Sequence, residues 1–319
     1  MFDVACIGII VADIIAKPVD DIPASGRLEL IDTVELHTGG CAANAAINMA
    51  KIGLNVTLGG KIGNDFFGSS ISHMIKSEGV DISGVVAGKK SITSSSIVLS
   101  HSSGERSFLH CFGANAEFKD TDINLEIINE ANIIFIAGAL LMPAFDGESC
   151  AKVLEYAKKS GKYTVMDTAW DSQGRWMEVI KPCLRFIDYF IPSYEEAAML
   201  SGKENPEEIA DYFLSQGVKV AVIKLGKDGC FIKTKGNNKH TIPTYAHIKA
   251  VDTTGAGDSF AAGFITGLVK GWSLYDCGRF ANAVGAHCVM SIGASSGIRK
   301  LEEIQEFMRQ NEGILEMPQ

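Results

Sequence analysis

The sequence predicts an α/β protein with a largely parallel central sheet that helices cover on both faces. Short apolar runs recur along the 319 residues, turn residues bound them, and helical stretches separate them. Apolar runs of this length are typical of strands that are buried on both faces of a sheet. Strands that alternate with helices favour parallel pairing, because each helix carries the chain back to the same end of the sheet.

The individual elements follow from this pattern in chain order. Strands of the main sheet are predicted at 4–11, 55–58, 133–137, 163–167, 189–192 and 218–225. Helices are predicted at 42–52, 65–77, 149–159, 194–200, 206–214, 256–269 and 274–290. No Pro-rich or Ser-rich linker and no charge block divides the chain, so we expect one domain over residues 1–319.

Two segments, 14–37 and 92–110, break this rhythm with an alternating and more polar pattern. Such a pattern predicts strand pairs outside the main sheet, the second with a Ser-Ser-Gly-Glu turn at its middle. The pattern alone leaves two interpretations open. The strands form a lid over a site, or they are extra edge strands without a role in binding.

Composition excludes several classes of partner. The formal charge of -9 and the lack of any run of Lys or Arg argue against nucleic acid and anionic membranes, and favour a small-molecule substrate. The eight cysteines are scattered without a C-x-x-C pair, which predicts reduced thiols rather than a zinc site. The apolar N-terminus carries Asp3 and Asp13 without a basic leader, and no apolar run could span a bilayer, so we expect a cytoplasmic protein.

The strongest local signal is the segment VDTTGAGDSFAAGF at residues 251–264, which precedes and opens an apolar helix. Gly255 and Gly257 permit backbone angles closed to other residues, so the N–H groups of these two residues and of Ala256 can point into one concavity. The N-terminus of the helix adds partial positive charge there. The loop is therefore predicted to stabilise an anion such as a phosphate undergoing transfer.

Asp258 comes directly after these glycines. A carboxylate within hydrogen-bond reach of a substrate hydroxyl can take its proton during attack on a phosphate. Asp is also a frequent N-cap of helices. The sequence therefore allows Asp258 to be a catalytic base, a helix cap or both.

Two common phosphate-binding motifs do not fit this chain. A dinucleotide fingerprint needs a third glycine where the loop has Phe260, and it follows the first strand rather than lying late in the chain. A Walker loop needs Ser or Thr after its lysine, and Lys61 is followed by Ile62. A different class of phosphate loop is required.

A second glycine turn, GGCAANAA at residues 39–46, opens another apolar helix. The turn at Gly39 and Gly40 lets the backbone approach a ligand, and the Asn44 amide can both donate to and accept from hydroxyl groups. Asp13, just past the first strand, could accept from two neighbouring hydroxyls. Each signal alone is equally typical of an ordinary turn or of helix packing.

The early glycine pair and the late DTTGAGD together resemble the two signatures of the ribokinase-like family, also called the PfkB carbohydrate kinases. Intermediate landmarks fit as well: GNDFFG at 63–68, GERSF and GAN within 104–115, EEA at 195–197 and KLGKDG at 224–229. The resemblance implies a three-layer α/β/α sandwich with the two irregular segments as a small β-sheet lid. It also implies ATP as phosphate donor and a sugar bound between core and lid.

The resemblance assigns roles to residues at matching positions. Those that would hold the sugar are Asp13, Gly39, Gly40 and Asn44. Those that would flank the nucleotide are Ser193, Lys224, Gly226, Gly229 and Asn282. Glu196 would organise Mg²⁺ through water, a role that suits a hard, hydrated cation, or would be only an acid at a helix start.

Asp252 and Thr254 match positions whose oxygens hold a monovalent cation, commonly K⁺, in many relatives. The second half of such a site would come from GASSG at 293–297, where Gly297 replaces a serine of the ribokinases. Activation by potassium is therefore left as an open prediction.

The chain departs from ribokinases mainly around the acceptor. Cys41 and Ala42 replace Lys and Gly after the glycine pair, so a charge that contacts phosphate is lost. Ser193 is the shorter first residue of the family's N-x-x-E motif, and Leu141 stands where ribokinases place a sugar-binding glutamate. A site that loses a carboxylate should discriminate against a fully hydroxylated pentose, so we do not expect ribose as substrate.

Several residues near the predicted acceptor pocket keep two interpretations. His110 could reach the sugar from the second lid strand or serve as a structural hydrogen-bond partner. Phe108, Phe112 and Met142 could form an apolar wall, which leaves a nucleoside acceptor open. Arg106 is assigned to the lid turn, although an acidic sugar would make use of it.

The predicted function is in-line transfer of the ATP γ-phosphate to a sugar hydroxyl, with Asp258 as base and Mg²⁺ bridging the phosphates. The alternatives are a nucleoside kinase of the same fold and a catalytically silent sugar or nucleotide sensor. Exposed lid strands offer an edge that a second lid could cover, so we expect a homodimer.

Overall fold

A computed structural model of the chain describes residues 1–103, 105–236, 238–245 and 247–311. Its strands are β1 (Phe2–Gly8), β2 (Val11–Lys17), β3 (Thr33–Gly39), β4 (Val56–Gly63), β5 (Asp81–Gly88), β6 (Ser95–Ser100), β7 (Arg106–Cys111), β8 (Ala131–Ala139), β9 (Tyr163–Thr168), β10 (Tyr189–Phe190), β11 (Val220–Lys224), β12 (Cys230–Thr234) and β13 (Lys239–Ile242). Its α-helices are α1 (Cys41–Ile52), α2 (Phe66–Ser77), α3 (Leu125–Glu130), α4 (Glu148–Lys159), α5 (Met177–Leu184), α6 (Tyr194–Ser201), α7 (Pro206–Ser215), α8 (Ala256–Val269), α9 (Leu274–Val289) and α10 (Leu301–Gln310). Gly104 of the predicted lid turn and residues 312–319 of the predicted domain lie outside the described ranges.

The main sheet has nine strands in the order β13-β12-β11-β10-β9-β8-β1-β4-β5. Neighbours from β11 to β5 are parallel, and β12 and β13 add an antiparallel hairpin at one edge. The predicted largely parallel sheet is thus confirmed. The sequence pattern missed β5, β12 and β13. β5 and β13 are half-exposed, and β12 has only three consecutive apolar residues before Lys233.

Side chains of the central strands alternate between two apolar cores, one on each face of the sheet. In β1, Ala5 and Ile7 belong to one core, and Val4 and Cys6 belong to the other. The first core contains residues of α4, α5, α6 and α7, and the second contains residues of α1, α2 and α8. Alternation with a period of two is what a sheet covered on both faces requires, and it confirms the three-layer arrangement.

The two irregular segments form a separate sheet of four strands in the order β3-β2-β6-β7. The predicted first strand at 4–11 is wrong at its end, because β1 stops at Gly8 and the chain then enters this small sheet at Val11. The register places one polar row across the small sheet: His37, Asp13, Ser96 and His110. The next row, on the opposite face, is apolar: Leu36, Ile14, Ile97 and Leu109.

Glycine turns start α1 and α8, two helices that pack on the same face of the main sheet. α1 follows Gly40, whose φ is 92°, and α8 follows Gly255, whose φ is 75°. A Cβ would lie 2.5 Å from Ile9 O at Gly40 and 2.6 Å from Ala294 Cα at Gly255, so only glycine fits. α1 and α8 pack together. Among the described residues, no helix is both long and apolar enough to cross a membrane.

Candidate active site

Asp258 is the third residue of α8, and its carboxylate faces the start of α1. Asn44 Nδ2 donates to Asp258 Oδ2 at 2.8 Å, and the Cys41 thiol also bonds this carboxylate. Gly255 occupies the N-cap position of α8, so the interpretation of Asp258 as the helix cap is wrong. The carboxylate is therefore directed across the space between α8 and α1 rather than back onto its own helix.

The ionisation of Asp258 is set by opposing effects. Burial raises the pKa of the Asp258 carboxyl above its ordinary value, while the bond from Asn44 and the charge of Lys224 lower the pKa. A carboxylate with a raised pKa is a stronger base than a free aspartate. This property suits a group that removes a proton from a hydroxyl near neutral pH.

Lys224 lies at the C-terminal end of β11 and is held by Asp167 at the end of β9. Lys224 Nζ is 2.7 Å from Asp167 Oδ1 and 2.6 Å from Oδ2, and both side chains are nearly buried. Burial lowers the pKa of Lys224, but the carboxylates of Asp167 and Glu196 more than offset it, so the pKa ends above its ordinary value. A Cβ at Gly257 would lie 3.2 Å from Lys224 Nζ, which places a positive charge beside the predicted anion hole.

A cavity of about 570 Å³ opens in front of this loop. The predicted nucleotide residues all line it, together with the predicted anion hole: Ser193, Lys224, Gly226, Gly229, Asn282, Gly255, Ala256, Gly257 and Asp258. Its other wall is mostly apolar and includes Ile248, Phe260, Ala286 and Val289. A cavity with one polar end and one apolar slot matches a ligand that carries phosphates at one end and a flat ring at the other.

Ser193 and Glu196 form the start of α6 at the edge of this cavity. The Ser193 hydroxyl accepts from Glu196 N at 3.3 Å, and Glu196 Oε2 accepts from Ser193 N at 3.1 Å, which is a capping box. Thr168 Oγ1 also donates to Glu196 Oε2 at 2.9 Å. Glu196 is thus a capping acid whose carboxylate still lines the cavity, and the two interpretations of this residue do not exclude each other.

Asn282 also lines the cavity, but its amide is used to fix a loop. Asn282 Nδ2 donates to Ile242 O at 3.1 Å and to Pro243 O at 3.0 Å. These bonds connect α9 to the segment after β13. Contact between Asn282 and a nucleotide stays a prediction.

The predicted sugar residues lie on the other side of Asp258, on the small sheet and the turn before α1. Gly39 packs against Asp13 so closely that a Cβ there would lie 2.1 Å from Asp13 Oδ2. The Ser96 hydroxyl bonds Asp13, and Ser96 Oγ and His110 Nδ1 share a bond of 3.1 Å. Within the polar row, hydrogen bonds therefore connect His110 through Ser96 to Asp13.

Burial sets the charge of this row. Burial raises the pKa of Asp13, and the Ser96 bond with the charges of His37 and Arg106 only partly lowers it. Burial lowers the pKa of His110, which favours its neutral ring. The row therefore offers hydrogen bonds to hydroxyl groups rather than a strong positive field.

Asp252 and Thr254 do not line the cavity with the other predicted residues. Arg106 reaches them from the small sheet, with Nη2 2.8 Å from Asp252 Oδ2 and Nη1 donating to Thr254 Oγ1 at 2.7 Å. The assignment of Arg106 to the lid turn is wrong, because it is the first residue of β7 and its side chain leaves the hairpin. Met142 is fully buried in a core, so its expected place in an apolar pocket wall is also wrong.

Sequence reasoning missed Asp167, Thr168 and the cationic partner of Asp252. Asp167 and Thr168 end a predicted strand, and acids and hydroxyls at the C-terminal ends of parallel strands are a known mark of α/β sites. That signal was available. Arg106 and Asp252 are separated by most of the chain, and no local pattern connects them.

Comparisons with known proteins give the family of this chain. A family model described as pfkB family carbohydrate kinase matches residues 1–301. The chain is 28% identical over 294 residues to 2-dehydro-3-deoxygluconokinase of Bacillus subtilis, covering 89% of this chain and 90% of that protein. It is 28% identical over 320 residues to 5-dehydro-2-deoxygluconokinase of Clostridium tetani, covering 92% of this chain and 94% of that protein.

A solved structure with the same fold is that of Arabidopsis thaliana ribokinase complexed with ribose and ATP. It superposes with a TM-score of 0.84 at 27% identity and covers 97% of this chain and 99% of that one. The nine-stranded sheet and the smaller sheet are thus those of the ribokinase fold. With a family model that spans nearly the whole described chain, the protein belongs to the pfkB family of carbohydrate kinases and is a sugar kinase.

Proposed function

We propose that this sugar kinase uses Asp258 as the base that activates the acceptor hydroxyl. The observation that carries the proposal is the bond of 2.8 Å from Asn44 to Asp258, which holds the carboxylate between the sugar side and the phosphate side of the site. Asp258 accepts the hydroxyl proton, the acceptor oxygen bonds the γ-phosphorus of ATP, and the bond from that phosphorus to the ADP oxygen breaks. The amides of residues 255–257 stabilise the charge on the moving group.

The proposal places ATP in the cavity of about 570 Å³, with its phosphates at the end that holds Lys224 and its base in the apolar slot. In the described ranges, no group of three or more His, Cys, Asp or Glu side chains could hold a metal ion. Mg²⁺ commonly keeps its waters and binds mainly to phosphates, so Glu196 at the cavity wall fits a contact through water. Bound Mg²⁺ would neutralise the phosphate oxygens.

For the acceptor, we favour a keto-deoxy derivative of gluconate over ribose. The support is that the curated relatives reported above are named for 2-dehydro-3-deoxygluconate and 5-dehydro-2-deoxygluconate type substrates. Leu141, partly buried against the core, offers no bond to a hydroxyl at that edge. A sugar that lacks one hydroxyl leaves no polar group unpaired there, whereas ribose would.

The first test is a coupled assay of ADP release with Mg-ATP and separate keto-deoxy sugar acids, pentoses, hexoses and nucleosides. Asp258→Asn should lower kcat by about 100-fold to 10,000-fold, since it removes a general base. Asp276→Asn is a matched control, because Asp276 is the exposed third residue of α9. Turnover of nucleosides alone would refute the acceptor class, and ATP binding without any turnover would favour a sensor.

We also propose that the chain works as one domain, with segments 14–37 and 92–110 as the lid, and that two lids pair in a homodimer. The apolar row of the small sheet supports this, because Ile97 is 44% and Leu109 63% exposed. Light scattering should give a dimer that Leu109→Glu splits into monomers. Leu125→Glu, on exposed Leu125 of α3, is the control, and a monomeric wild type would end this proposal.

The proposed location is the cytoplasm, where ATP is available. The eight cysteines are free in the described chain, and most are buried, which suits a reducing compartment. Fractionation of cells that express a tagged protein would test it, and recovery outside the cytoplasm would contradict it.

A further inference from the structure

The loop before the anion hole already holds a positive charge, and that charge comes from the lid. The Arg106 guanidinium binds the Asp252 carboxylate at 2.8 Å and the Thr254 hydroxyl at 2.7 Å. The Arg106 side chain is 13% exposed and that of Asp252 is 5% exposed. A guanidinium with two partners, largely withdrawn from water, is a fixed cation rather than a mobile surface charge.

A monovalent cation at this place would need several oxygen ligands with room between them. Asp252 Oδ1 accepts from Thr254 N at 3.0 Å, and Asp252 Oδ2 accepts from Gly293 N at 2.7 Å as well as from Arg106. Cys288 Sγ lies 3.3 Å from Thr254 O and 3.5 Å from Ala294 O, and its single proton can bond either carbonyl. The Asp252 carboxylate is thus already bonded from within the protein, and Ala294 O also accepts from Asn48 Nδ2 at 3.2 Å, whereas the buried Ser295 hydroxyl of the facing segment has no hydrogen-bond partner among the described residues.

Gly297 adds no oxygen ligand from its side chain. A Cβ at Gly297 would lie 2.1 Å from His287 O, so a serine could not replace it without moving the backbone. One unpaired hydroxyl, Ser295 Oγ, does not make the set of several oxygens that a monovalent cation needs, and Arg106 already fills the position beside Asp252 and Thr254. The residues present therefore do not fit a bound monovalent cation. The resemblance to potassium-binding relatives therefore meets a different local arrangement in this chain.

We propose that Arg106 takes the place of a monovalent cation, so that the kinase needs no potassium and its lid is linked to the anion hole by this side chain. Thr254 directly precedes Gly255, whose amide belongs to the anion hole. Arg106 does not contact the reacting atoms, so it is a positioning residue that acts through Asp252 and Thr254. A lid that opens would withdraw the cation and release the loop.

The inference rests on the proposed phosphoryl transfer. Two readouts distinguish a failure of the inference from a failure of the proposed function. The first is kcat in buffers of equal ionic strength made with potassium, sodium or tetramethylammonium salts. The second is Tm in the same buffers without substrate. Arg106→Gln removes the charge, and Arg106→Lys keeps it. The control is Arg27→Gln, because Arg27 is an exposed arginine in segment 14–37 of the proposed lid.

We expect the wild type and Arg27→Gln to show the same kcat and Tm in all three salts. Arg106→Gln should lose up to about 100-fold in kcat, the size of effect that a displacement of about 1 Å can have. Arg106→Lys should recover part of that loss. Tm of Arg106→Gln should be higher in potassium than in tetramethylammonium, because the vacated carboxylate can then take a free cation.

Two results would overturn the inference. One is a wild type that potassium activates severalfold over sodium or tetramethylammonium. The other is an Arg106→Gln variant with wild-type kcat in tetramethylammonium. A wild type that is inactive on every acceptor would refute the proposed function instead, and Tm would still decide the inference, because a potassium-specific rise in wild-type Tm contradicts it.

Discussion

Replacing Asp167 with Asn should destabilise this protein strongly, because it removes the carboxylate that is hydrogen-bonded to the buried Lys224 ammonium. Asp167 is 4% and Lys224 11% exposed, and their closest contact is 2.6 Å. At an effective dielectric constant of about 20, two unit charges at that distance attract by about 6 kcal/mol. This figure is an upper bound, because burial raises the pKa of Asp167 to about 7 and it is then not fully ionised at neutral pH. Desolvation offsets part of this attraction, and removal of one partner from such a pair typically costs about 3–5 kcal/mol.

The assay is urea unfolding followed by circular dichroism, with Asp167→Asn, Lys224→Met and the double variant. The double variant should recover much of the lost stability, because neither charge is then left alone. It should not recover kinase activity, because the positive charge beside Gly257 is gone. Glu155→Gln is the control, since it breaks the exposed pair of Glu155 with Lys159 and should leave the unfolding midpoint unchanged.

The result that would refute this reasoning is an Asp167→Asn midpoint as close to wild type as that of Glu155→Gln. Water would then reach Lys224 in solution, and the pair would not be an enclosed charge. A double variant less stable than both single variants would equally contradict the calculation. It would mean that packing of the two side chains matters more than their charges.

Three further predictions follow from single positions. Burial raises the pKa of Asp258, so kcat/KM should fall as the pH drops through a pKa above the ordinary aspartate value of about 3.9. Asn44→Ala removes the hydrogen bond that lowers this pKa and should therefore move the acidic limb of the kcat/KM profile to higher pH. An unmoved limb would contradict the assignment of Asp258 as the base. Gly39→Ala should raise KM for the sugar, because the added Cβ would displace the Asp13 carboxylate. Gly236→Ala is the control, since a Cβ there meets nothing closer than 3.9 Å, and it should leave KM unchanged. Equal KM values for the two variants would count against Asp13 as a sugar ligand. Gly285→Ala should stabilise α9 by about 0.5–1 kcal/mol and so raise Tm, because glycine inside a helix is unfavourable. It should also raise KM for ATP, because Gly285 lines the cavity. An unchanged KM would place the nucleotide elsewhere.

The central part of this fold could be predicted from the sequence because its signals are local. β1, β8 and β11 are apolar runs, and the turns at Gly40 and Gly255 need the φ values of 92° and 75° that glycine tolerates. Edge elements gave weaker signals. α5 was not predicted because it contains Pro182, and proline normally ends a helix. β13 was not predicted because only its last residue is fully buried.

The site was predictable up to the point where it depends on contacts between distant segments. Asp258 and the residues of the 255–257 loop are recognisable because one short segment contains both the glycines and the acid. The partners of the acids are not recognisable in this way, since Asp167 and Lys224 are 57 positions apart, and Arg106 and Thr254 are 148 apart. Charge pairing at such separations is fixed by topology, which a pattern of residue types does not reveal.

The proposed binding of a polyanion such as ATP requires that the acids of this acidic protein be neutralised around the phosphate loop. The chain carries a net charge of -9, and Asp252, Asp258 and Asp167 all surround the loop meant to receive phosphate. Each has its own partner: Arg106 from the small sheet for Asp252, Lys224 for Asp167, and the amide and thiol of α1 for Asp258. Because these partners come from the main sheet, the small sheet and α1, we expect the field at the predicted anion hole to depend on how these three parts pack together. If the small sheet acts as a lid, as we propose, its position should affect the site through Arg106.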